Sequence, residues 1–143
     1  VKKGHIENMT DKKKKGDFGE GKACLYLENK GYNIVARNFS TKTGEIDIIA
    51  EHSEKERLAF VEVKTRKLMG MGRPSDAVNK SKQHKIIKTA QVYLLRNPTE
   101  KYIGFDIIEV TVTDSINPDV IEINHFEDAF IDDSASRGQV LFI

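Results

Sequence analysis

Three charged side chains stand inside two short runs of β-branched and apolar residues. Asp47 lies within Gly44 to Ala50 (GEIDIIA), and Glu62 and Lys64 lie within Leu58 to Thr65 (LAFVEVKT). Unpaired ions inside a sheet cost several kcal/mol, so a chain of this kind must bring these charges together or supply them with a counter-ion. A divalent cation meets that requirement. The polar stretch Glu51 to Arg57 between the runs predicts an antiparallel hairpin. The two-residue side-chain period then puts Glu45 and Asp47 on one face of the first strand, and Glu62 and Lys64 on one face of its partner. Ile46, Ile48, Val61 and Val63 fall opposite, where a helix is expected to pack. Ile49 and Phe60 flank the charged face, which argues against the plainer reading of exposed cross-strand ion pairs, each worth under about 1 kcal/mol.

The rest of the chain frames that hairpin. A length of 143 residues with 38% hydrophobic content suits one domain, expected over 16–131, with a basic tail at 1–15 and a second tail at 132–143. Asp17 is placed to cap a helix reaching Lys30 and stopped by Gly31, and Glu20, Cys24 and Leu27 share one face of it. Glu20 is therefore expected to point inward beside apolar neighbours. Tyr32 to Phe39 reads as a first strand. Pro74 opens a second helix ending near Arg96, with Gln83, Ile87, Ala90 and Leu94 on one face and Lys80, His84 and Lys88 on another. Ile103 to Val112 and Val120 to Asn124 read as further strands, and His125 to Ile131 as a short helix.

Charge is unevenly spread behind a net value of +1. From Val63 to Lys101 ten Lys or Arg face Asp76 and Glu100, a balance of +8, whereas from Tyr102 to Ile143 Arg137 faces nine acids, a balance of −8. The basic part follows the charged hairpin directly, where it would gather an anionic substrate. A single cysteine, Cys24, excludes an internal disulfide and multi-cysteine zinc sites, and no apolar run approaches the roughly 18 residues of a membrane span. With no signal-peptide pattern, a cytoplasmic location is expected.

Asp47 and Glu62 are hard oxygen donors of the kind that hold Mg²⁺ or Mn²⁺, and a backbone carbonyl between Glu62 and Lys64 offers another ligand. An ion there can polarise a phosphate and lower the pKa of water, while a lysine orients the nucleophile. That is the chemistry of phosphodiester hydrolysis.

GEIDIIA followed by FVEVKTR, preceded by the helix GDFGEGKACLYLENKGYNIVARNF and followed by FDIIEV, resembles the YraN-like family of small bacterial proteins over Lys15 to Ile131. Members look like nucleases of the PD-(D/E)XK superfamily and are similar to archaeal Holliday junction resolvases. The resemblance implies an α/β, restriction-endonuclease-like core, a mixed sheet flanked by helices in the order helix, three strands, helix, strands. It implies Asp47, Glu62 and Glu20 as metal ligands, Lys64 at the catalytic lysine position, and Gln83 as a polar helix residue near the metal. The expected activity is Mg²⁺- or Mn²⁺-dependent cleavage of DNA, branched or otherwise structured, in repair or recombination. Arg66, Lys67, Arg73, Lys80, Lys82, Lys85 and Lys88 would contact the DNA backbone. A homodimer is compatible with this reading, because related junction enzymes make two matched cuts. Ile46 replaces the proline that names the superfamily, a change that leaves the donor set intact. Two other classes fit parts of the sequence: a DNA-binding module without turnover, and a protein-interaction domain using the acidic segment after Tyr102.

Overall fold

The structure, a computed structural model, describes residues 2–68 and 78–133, with side chains from residue 16 onward. Arg73, Pro74 and the stretch 134–143 lie outside the described residues. Helix α1 (Lys2–Asn29) begins well before Asp17, which therefore sits inside the helix rather than at its cap. No proline interrupts 2–16 and the lysines there are good helix formers, so nothing in the tail stops the helix from extending backward. It ends where Gly31 adopts φ 97°. A side chain at that position would also press on His52 Nε2 at 2.7 Å, so both conformation and space require glycine.

Strands β1 (Tyr32–Thr41), β2 (Gly44–His52) and β3 (Arg57–Lys67) follow as an antiparallel meander. Helix α2 (Lys80–Arg96) then crosses over to β4 (Tyr102–Val112), which runs parallel to β3, and β5 (Val120–Phe130) returns antiparallel. The sheet order is β1-β2-β3-β4-β5. α2 starts at Lys80 because Asn79, in extended conformation, accepts the Lys82 N–H on its side chain at 2.9 Å.

β5 corrects the expectation of a helix over His125 to Ile131. The strand runs on to Phe130, which pairs with Phe105, and a register shift plus φ 51° at Asp128 let the last residues stay in the ladder. Rings of Phe60, Phe105 and Phe130 stack across β3, β4 and β5 with centroids 5.7 and 5.4 Å apart, which ties this edge strand to the core.

The sheet is the middle of three layers. Ala23, Cys24 and Leu27 of α1 pack on Ile48, Ala50, Ala59, Val61, Ile108 and Val110. Ile86, Ile87 and Ala90 of α2 pack on Ile46, Ile49, Leu58 and Phe60 on the opposite face. Ile46 and Ile48 thus face different helices, against the strict alternation expected of β2. In the β1–β2 ladder Arg37 pairs with Ile48 and Phe39 with Ile46, leaving Asn38 and Asp47 between them, and Asn38 has φ 52°. That break in phase releases Asp47 from the regular pleat.

At the end of the sheet where β3 begins, Arg57 is buried against Asp106 through two hydrogen bonds of 2.7 Å, and also donates to Tyr32 and Asp128. His125 Nε2 lies 2.8 Å from Asp106, and Lys30 Nζ 2.9 Å from His125 Nδ1. The network fastens the end of α1 to β3, β4 and β5. No helix among the described residues is long and apolar enough to cross a membrane.

Candidate metal centre

β2 and β3 are paired only from Ile48↔Val61 to His52↔Arg57. Asp47 and Glu62 are the first residues past the last paired rung, so their carboxylates meet where the two strands part. Asp47 Oδ2 accepts the Val63 N–H at 2.8 Å, which turns its side chain across the gap toward β3. Glu62 follows the α2-facing Phe60 by the strand period and is 5% exposed. Lys64 Nζ lies 3.5 Å from Glu62 Oε2, and Lys82 Nζ from α2 lies 3.7 Å from the same oxygen.

Burial, then the neighbouring Asp47 charge, pushes the Glu62 carboxyl up from 4.5 to about 7, and the two lysines pull against that rise. A carboxyl desolvated and set this close to a second acid holds its proton to higher pH than it would in water, and here that carboxyl is Glu62.

Glu20 approaches from the α1 side. Its Oε1 is buried and has no hydrogen-bond partner among the described residues, with Arg37 Nη2 as an ion pair at 3.7 Å. Desolvation first, and then Asp47, raises its pKa. The helix comes this near because residue 19 is glycine: a Cβ there would collide with Thr65 Oγ1 and lie 3.1 Å from the Thr65 Cβ. Gly19→Ala is expected to lower stability by about 1–3 kcal/mol and to move Glu20 off the cleft. Thermal unfolding checks it, with Thr65→Ala in the same chain restoring most of the loss. An unchanged melting temperature for Gly19→Ala would remove the close approach as a constraint on Glu20.

Among the described residues no three His, Cys, Asp or Glu side chains are grouped to hold an ion. The donor set is the Asp47–Glu62 pair with Glu20 standing off, not a closed cage. Such a pair suits Mg²⁺, which binds through one or two carboxylates and completes its shell with water and phosphate oxygens. The raised Glu62 carboxyl and the orphaned Glu20 oxygen are both relieved by positive charge, so the residues present fit a hard divalent ion.

The remaining expected residues spread along α2 and the end of β3. Gln83 turns its amide back to the Val78 carbonyl at 3.1 Å, and its neighbour Lys82 is the α2 residue that reaches Glu62. Lys80, His84, Lys85 and Lys88 are exposed on α2. Arg66 pairs with Glu109 at 3.7 Å and Lys67 with Asp114 at 3.0 Å. Glu109 is buried, partners Lys64 in the β3–β4 ladder and shares its face, yet sequence reading gave it no role. The signal was present, since Glu109 is an acid inside the apolar run FDIIEV, the same irregularity that singles out Asp47. Arg37, an isolated cation of β1, carried no such signal.

One helix, three strands, a second helix and two strands in a mixed five-stranded sheet are consistent with a restriction-endonuclease-like core. The family model for the uncharacterised protein family UPF0102 matches residues 19–110. A UPF0102 protein of Caldanaerobacter subterraneus subsp. tengcongensis is 45% identical over 125 residues, 85% of this chain and 98% of that protein. One from Clostridium botulinum is 50% identical over 97 residues, covering 66% and 77%, and one from Alkaliphilus oremlandii 45% over 121 residues, covering 82% and 98%. The chain belongs to the UPF0102 family, the YraN-like family that its motifs resemble.

Proposed function

We propose that this protein is a metal-dependent endonuclease that hydrolyses DNA phosphodiesters, with branched or otherwise structured DNA in repair or recombination as its substrate class. The observation that carries the reading is the pairing of the buried Glu62 with the half-buried Asp47 at the parting of β2 and β3, with the Lys64 ammonium 3.5 Å from Glu62. Asp47 and Glu62 would hold Mg²⁺ or Mn²⁺, with Glu20 assisting from α1. A bound divalent ion supplies Lewis acidity toward the phosphate and toward water.

The chain's own groups do the rest. The Val63 N–H fixes the Asp47 carboxylate, so one donor is already oriented before substrate arrives. Lys64 carries a positive charge to the mouth of the cleft, where it orients an attacking oxygen and stabilises the added charge on phosphorus. Lys80, Lys82, Lys85 and Lys88, all exposed on α2, would draw in phosphates, an attraction that weakens with salt.

The test is a cleavage panel of linear, flapped, four-way and single-stranded DNA with Mg²⁺, Mn²⁺ and no metal. Cutting is expected only with metal, and Glu62→Ala is expected to abolish it while leaving the circular dichroism spectrum unchanged. Salt-sensitive binding without cutting on any substrate would leave a DNA-binding module instead. Cutting retained in Glu62→Ala would assign the activity to another site.

A further inference from the structure

We propose that Lys82 is a substrate-phosphate lysine of the carboxylate site, parked on Glu62 until that carboxylate takes a cation; the proposal rests on the metal-dependent reading above and names a residue that couples ion to substrate. Lys64 and Lys82 come from different elements, a strand and a helix, yet both ammoniums point at the single oxygen Oε2 of Glu62, at 3.5 and 3.7 Å. Glu62 itself is almost wholly buried, whereas the side chains of Lys64 and Lys82 are 35% and 45% exposed. The ammoniums therefore stand between the carboxylate and solvent.

Charge balance governs the exchange. With both carboxylates ionised, Asp47 and Glu62 balance the charges of Lys64 and Lys82. Were Asp47 and Glu62 to hold a divalent ion, the cluster would stand at +2 and Glu62 would no longer be free to partner both ammoniums. Like charges that close repel strongly in a poorly solvated site, so an ammonium must leave Glu62 and find another anion. The anion at hand is a non-bridging oxygen of the phosphodiester. Lys82 is the freer of the two. Its backbone is fixed at the start of α2 by the Asn79 cap, and nearly half of its long side chain is already in solvent. Ion binding and phosphate binding are thereby linked, each raising the affinity for the other.

Calorimetric titration of the full chain with Mn²⁺ alone, without DNA, gives the first readout. Lys82→Met is expected to bind Mn²⁺ about fivefold tighter or more, because it removes a cation competing for Glu62. Lys55→Met, in the exposed turn at the other end of the β2–β3 hairpin, should stay within about twofold of the parent. The second readout is turnover on cleavable DNA, where Lys82→Met should lower kcat about tenfold or more and Lys82→Arg should recover part of the loss. If the parent takes up no Mn²⁺, the metal-dependent reading and this proposal fall together. If the parent binds Mn²⁺ and Lys82→Met titrates identically, the proposal alone is overturned. Tighter Mn²⁺ binding with unchanged kcat overturns the phosphate role.

Discussion

Glu62→Gln is expected to make the metal-free protein more stable at pH 8 by about 3 kcal/mol, and to make no difference at pH 4. The folded-state pKa of Glu62 is raised from 4.5 to about 7, first by burial and then by Asp47. A carboxyl raised in this way leaves the folded state holding more protons than the unfolded state between those two values. Its contribution to stability is complete below pH 4.5 and is lost as the pH rises through 7. Gln mimics the protonated acid at every pH, so the variant escapes that loss. Urea unfolding of both proteins at pH 4, 6 and 8 checks it. A variant no more stable than the parent at pH 8 would mean that Glu62 ionises there without penalty. The same measurement in Mn²⁺ should narrow the gap, because an ion bound only by the folded parent stabilises it.

Asp106→Ala is expected to destabilise the fold by about 3–5 kcal/mol, the cost of leaving a buried charge without its partner. Asp106 is fully buried and accepts from Arg57 twice, from His125 and from the Asp128 backbone. Burial would raise its pKa, but these hydrogen bonds, Arg57 first, outweigh burial and hold it below the ordinary value. The stability drawn from that pairing persists above the unfolded value and fades only as the pH falls below it, so neutral pH is the place to measure. Replacing both partners, Asp106→Ala with Arg57→Met, should recover a substantial part of the loss, since no ion is then stranded. A loss under about 1 kcal/mol for Asp106→Ala alone would mean that water reaches Arg57 freely.

The hairpin and its charges were legible because burial punishes an unpaired acid, and Asp47 and Glu62 stood out against β-branched neighbours. Alternation by itself gave only one helix-covered face of the hairpin, and the order of helices about the sheet came from the family resemblance. Alternation failed at Asp47 itself: Asn38 on the neighbouring strand has left-handed backbone, and no local pattern announces a break in phase produced by two strands together. β5 was misread past Asn124 because Phe126 and Phe130 have helical spacing, while the evidence for a strand is its pairing with β4. Arg57 looked like the end of a polar loop, since its partner Asp106 lies 49 residues away. Lys82 read as one of several lysines that would contact the DNA backbone, and only the crossover that lays α2 on the sheet distinguishes it from Lys80 and Lys88.

The parallel pairing of β3 with β4 also sets an order of assembly. Val63 and Asp47 are 16 residues apart, whereas Arg57 and Asp106 are 49 apart. Closing the longer loop costs about 1 kcal/mol more in chain entropy. The acidic pair therefore belongs to the early, sequence-local part of folding, and the strand that locks β3 from its other side arrives late. A chain still growing past Lys67 carries its two donors before it has a second helix or a fourth strand to enclose them.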